Sequence, residues 1–123
     1  MSKNNMKQAT NNFVEQIKAS KEFVLYQKAL SEFQAEKDTQ KLLADFREAQ
    51  QTLLIFRKGG FSGVEEQERK VKWLKEKVDN STVIQNLSKT QNEFQLLIFN
   101  LADTISREIG FQFAPPQKGG CCG

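Results

Sequence analysis

Three observations predict an all-α fold of four to five helices in antiparallel hairpins, with one long C-terminal helix and a cysteine-bearing tail. Apolar residues recur at steps of three and four along most of the chain, the period of a helix with one buried face. Both prolines stand at positions 115 and 116, and all seven glycines fall within 59–63 and 110–123. The rest of the chain is free of helix breakers. Ser, Asp and Gly stand at the ends of the periodic runs, where caps belong.

Met6, Ala9, Phe13 and Ile17 mark a first amphipathic segment ending near Ser20. Ser20 reads as the cap of a second, with Phe23, Tyr26, Leu30 and Phe33 as its stripe. Neither Gly nor Pro separates the two, so one bent helix would also satisfy the pattern. Asp38 is placed to cap a helix from Thr39 to Arg57, with Leu42, Phe46, Ala49, Leu53 and Phe56 inward. Lys58–Gly63 is the principal loop, and Ser62 is placed to cap Val64–Val78, whose stripe is Val64, Val71, Leu74 and Val78. After the turn Asp79-Asn80-Ser81 comes the long helix, opened by an oxygen of Ser81 or Thr82 and stopped by Gly110. Its stripe is Ile84, Leu87, Phe94, Ile98, Leu101 and Ile105, with Gln91 filling the gap. Short connections make consecutive helices antiparallel neighbours. The expected core is Phe46, Leu53, Leu74, Leu87, Phe94, Ile98 and Leu101.

Within the long helix, Leu96-Leu97-Ile98-Phe99 is apolar on every side. Leu96 and Phe99 point away from the stripe, toward the side that carries Asn92 and Asp103. An apolar patch with a polar rim reads as a contact with another chain, and a homodimer or larger assembly is expected there.

Composition closes several routes. The net charge of +3 is too balanced to announce nucleic acid. The basic run Arg69 to Lys77 follows Glu65, Glu66 and Glu68, so a solvated face with i,i+4 pairing explains it better than a phosphate groove. Trp73 lies off its helix's stripe and, with Arg69 and Lys70, forms a candidate partner surface; covering a core edge is its other role. No apolar run exceeds four residues and the N-terminus is no secretory signal, so the expected location is cytoplasmic. There is no histidine, which removes the commonest general base and the Ser-His and Cys-His nucleophile pairs. Gly59–Gly63 lacks the Lys-Ser/Thr ending of a P-loop. No catalytic residue is assigned, and the reading is a non-enzyme.

A helical domain over residues 1–110 therefore precedes a flexible tail over 111–123 that carries both cysteines, Cys121 and Cys122. Thiolates between glycines suit a soft metal, and two of them would need a second chain to complete four ligands. A thiol pair with no metal is the other reading, and spacing leaves both open.

Three stretches carry a resemblance: Lys21-Glu22-Phe23-Val24-Leu25-Tyr26-Gln27-Lys28-Ala29, Asp38-Thr39-Gln40-Lys41-Leu42-Leu43-Ala44-Asp45-Phe46, and Asn80-Ser81-Thr82-Val83-Ile84-Gln85-Asn86-Leu87. Together with the layout from Met6 to Ile109, they resemble the YlbF/YmcA family of small helical bacterial proteins. The resemblance implies a regulator that forms dimers or larger assemblies with itself and with other YlbF/YmcA-type chains. It implies a complex that influences competence, sporulation and biofilm formation and works with the endoribonuclease RNase Y in mRNA maturation. It also implies that the Cys-bearing tail helps to hold an iron–sulfur cluster; from the thiolates themselves the expected occupant is a [4Fe–4S] cluster or Zn shared between chains through Cys121 and Cys122. The tail has two adjacent cysteines, a shortened form of the family's pattern. A structural homo-oligomer with an inert tail, and an RNA binder using the basic face, are the alternatives.

Overall fold

A computed structural model of the chain describes residues 3–112, and among these there are five helices and no strand. They are α1 (Lys3–Lys18), α2 (Lys21–Ala35), α3 (Lys37–Gly59), α4 (Val64–Asp79) and α5 (Thr82–Ile109).

The caps explain the boundaries. Ser20 is extended (φ −66°, ψ 151°) and its hydroxyl accepts the Phe23 N–H at 3.1 Å, so α1 and α2 are separate helices. Ser81 accepts the Ile84 N–H at 3.3 Å and opens α5. Two expected caps fall elsewhere. Asp38 lies inside the first turn of α3, because the chain bends at the extended Glu36 one residue after α2 ends. Glu36 also accepts the Thr39 hydroxyl at 2.7 Å. Ser62 does not cap α4; Gly63 does, at φ 95°, and its carbonyl takes the first helical bond from Gln67. The loop is accordingly shorter than expected. Gly60 turns left-handed (φ 66°), Phe61 N–H returns to the Phe56 carbonyl at 3.1 Å, and the two rings meet at 5.6 Å. That is a Schellman closure with its hydrophobic clasp.

Pairing departs from a simple run of hairpins. α3 packs along α4, as a four-residue connection requires, but α2 packs along α5, with much slighter contact between α2 and α3 or α4 and α5. The molecule is an antiparallel arm two helices thick, jointed on both strands at the same level. Each joint is held in the same way. Gln40 Nε2 donates to the carbonyls of Phe33 and Gln34 at 3.0 and 2.8 Å, and Gln85 Nε2 donates to the Val78 carbonyl at 3.1 Å. These glutamines supply donors to the carbonyls that a helix end leaves open. The joint geometry, not loop length, decides which helices become neighbours.

So thin an arm has little interior. Ala29, Ala49, Leu53, Leu74, Val78, Ile84 and Thr90 are buried, and Phe46, Leu87, Phe94 and Leu101 are half-buried. Phe94 meets Phe23 edge-to-face at 5.4 Å between ring centroids and stacks with Tyr26 at 5.8 Å. Ile98, expected in the core, is 38% exposed; Leu97 turns inward instead. The stripe also passes through Thr90 in place of Gln91. Thr90 can be buried because its hydroxyl bonds back to the Asn86 carbonyl at 2.8 Å. Leu87, Thr90, Phe94, Leu97 and Leu101 keep the alternating step of three and four, and the side from which α2 approaches centres the buried face on them.

Candidate assembly surface

The surface that stands out is at the end of the arm away from the α3–α4 turn. α2 begins at Lys21, and Lys21, Glu22 and Leu25 share a groove of about 350 Å³ with Leu96, Leu97 and Asn100 of α5. Beyond Asn100, α5 continues for nine residues with no α2 beside it. Ile105 and Ile109 carry its apolar stripe onward, both exposed, and Phe111 follows them. α1 leaves the same end. It has no buried residue, and Met6 is 76% exposed, with Phe13 and Val14 also open. No Cα of α1 comes within 8 Å of a Cα of α5.

The patch read from the sequence belongs to this region. Leu96 is 59% exposed, and Phe99, Asn92 and Asp103 are exposed on the same side. Asn92, Gln95, Leu96 and Phe99 frame an open concavity, and Asp103 pairs with Arg107 at 3.2 Å to form part of the rim. The sequence reading missed α1 and the last turns of α5 as parts of the surface. A signal was available: a 28-residue helix cannot be covered along its length by a 15-residue partner.

The second candidate surface lies on the α3–α4 hairpin. Trp73 is 55% exposed, with the Lys77 ammonium 4.1 Å from its ring centroid. A concavity lies on either side of it, about 250 and 240 Å³. Arg69 and Lys70 are exposed beside it on α4. Facing them on α3 are Asp38, Asp45 and Glu48, so the surface is of mixed sign and not a basic groove. Lys41 bonds Asp45 at 2.9 Å, and that hydrogen bond and then the carboxylate's charge hold the lysine protonated to higher pH than usual. Other cations of the hairpin are paired within it, Lys75 with Asp79 and Arg57 with Glu68.

Cys121 and Cys122 lie outside the described residues, as does the tail from residue 113. Among the described residues no group of three or more His, Cys, Asp or Glu is gathered to hold a metal, and no helix is long and apolar enough to cross a membrane.

No curated protein matches the chain. Among solved structures, the crystal structure of Bacillus subtilis RicA in complex with RicF is similar, with a TM-score of 0.70 over 89% of this chain and 93% of that one. At 17% identity this likeness shows a shared fold. The family model described as control of competence regulator ComK, YlbF/YmcA, matches residues 6–110. That span takes in all five helices almost from end to end, and the chain belongs to the YlbF/YmcA family.

Proposed function

We propose that this protein is a non-enzymatic cytoplasmic regulator that works as an adaptor, assembling with itself and with other YlbF/YmcA-type chains. The observation that carries the reading is the apolar surface of α1 and the end of α5, which none of the other described helices covers. Among the described residues only six apolar side chains are buried, Ala29, Ala49, Leu53, Leu74, Val78 and Ile84. A body with so little interior gains its remaining apolar burial from a partner. RicA, which shares the fold, was crystallised with another protein, RicF, and an arrangement of that kind suits this surface. The family model's description, control of the competence regulator ComK, supports competence as the process regulated; action in a complex that modulates RNase Y-dependent mRNA processing and development is the finer part of the proposal.

The tail is part of the proposal. Cys121 and Cys122 supply two thiolates, and the chain has no histidine to add. Two chains together would supply the four sulfurs that a [4Fe–4S] cluster or Zn takes.

The test is purification of the tagged chain from its native cells under anaerobic conditions, with identification of what accompanies it. A second YlbF/YmcA-type protein is expected, and Phe99→Asp should remove it while circular dichroism stays helical. Recovery of the unmodified chain as a lone monomer would sink the adaptor reading.

A further inference from the structure

Two apolar faces leave the same end of the arm, and neither has a cover. They match each other. Phe94 of α5 sits against both Phe23 and Tyr26 of α2, and in an antiparallel pair each step forward on α5 is a step back on the opposing strand. Ile105, eleven residues past Phe94, is therefore in register with the turn 12–15, which carries Phe13 and Val14. Leu101 is likewise in register with 16–19, which carries Ile17, and Ile109 with 8–11, which carries Ala9. α1 thus carries, in order and spacing, the apolar residues that would continue α2's packing along α5.

In its own chain α1 does not make that contact. Ser20 breaks the helix and pins the break from both sides, its hydroxyl donating to the Ile17 carbonyl at 2.6 Å and accepting from Phe23 N–H at 3.1 Å. Straightening α1 onto its own α5 would give up both bonds. A helix of 16 residues with no buried face is also marginal in water on its own.

We infer that α1 packs on the end of α5 in a second copy of this chain, and that the second copy's α1 packs reciprocally on the first. The exchange is two-fold, so each chain gives one helix and receives one. The side chains left open along α1 and from Leu96 to Phe111 present on the order of 900 Å² per chain, about what a standard interface takes from each partner. Both faces of α5's end are used: α1 of the second copy covers the Ile105–Ile109 stripe, and the two α5 helices meet through Leu96 and Phe99. The inference rests on the adaptor reading and specifies the partner and the segment.

The experiment places a photoreactive benzoyl group on the ring at Phe13 of the full-length chain and mixes isotopically heavy and light protein before illumination. Cross-links between heavy and light chains, landing on Leu101–Ile109, are expected. Phe13→Asp, as a second variant, should weaken self-association about a hundredfold or more with the α2–α5 helices intact, read by sedimentation. Cross-links to Leu101–Ile109 confined within one chain would overturn the exchange, as would assembly with cross-links elsewhere, and both leave the adaptor reading standing. Cross-links that appear only after a different YlbF/YmcA-type chain is added would also overturn self-exchange. A monomer at all concentrations, with no cross-link, overturns both.

Discussion

Leu74 and Leu96 are the same residue type on helices of one molecule, and their surroundings give them opposite jobs. Leu74 is buried between α3 and α4, whereas Leu96 is mostly open. Leu74→Ala removes contacts and leaves a void that a two-helix arm can only partly collapse, and should lower unfolding free energy by about 2–4 kcal/mol. Leu96→Ala should change the stability of dilute protein by no more than about 0.5 kcal/mol, yet weaken assembly. Urea unfolding at low and high protein concentration separates the two. At Gly60 the issue is backbone geometry. Its φ of 66° costs any L-residue, and nothing lies within 4 Å of an added Cβ to compensate. Gly60→Ala should therefore cost about 1 kcal/mol in the same assay, through the turn alone.

At the scale of the element, each helix's stability follows from what covers it. α4 is covered by α3 along its length, and the pair closes through the Phe56–Phe61 clasp. The first half of α5 is covered by α2, whereas α1 has no buried residue and meets, among the described helices, only the start of α2. Amide hydrogen exchange should follow that order. In dilute protein the α1 amides should exchange far faster than those of α3 and the first half of α5. At concentrations where the protein assembles, protection should rise on α1 and on the last three turns of α5 together, and little elsewhere. Protection of α1 that is high and independent of concentration would mean that the helix is held by its own chain.

For the whole molecule, the polarity of the arm is the organising fact. One end is the α3–α4 hairpin, with Trp73 between concavities of mixed charge; the other is open and apolar. Assembly through the open end leaves the hairpin end exposed, so a dimer would present two Trp73 surfaces to further partners. α5 ends at the assembling end, at Ile109, and Cys121 and Cys122 follow it in the sequence, outside the described residues; a metal shared between two chains through them is part of the proposal. Anaerobically purified protein should carry iron or zinc, and the Cys121→Ser, Cys122→Ser double variant should lose it while keeping its helicity, by metal analysis and circular dichroism. Metal retained at unchanged stoichiometry would rule out the thiolates.

The sequence by itself determined the helices, the caps at Ser20, at Ser81 or Thr82 and at Gly110, a loop within Lys58–Gly63 that the structure narrows to 60–63, and the apolar excess of Leu96 and Phe99. Those properties depend on neighbours three or four positions apart, and such spacing is visible in one dimension. The three stretches around Lys21, Asp38 and Asn80 also pointed to the YlbF/YmcA family. Only the tertiary structure decided that α2 pairs with α5 instead of α3, because the angle at Glu36 and the bonds from Gln40 and Gln85 are set across a joint. It decided that Leu97 and Thr90 face inward in place of Ile98 and Gln91, since the direction from which a partner helix approaches fixes the buried face. And it decided that α1 and the end of α5 stand uncovered: an apolar stripe says that a face must be buried, and not which chain buries it.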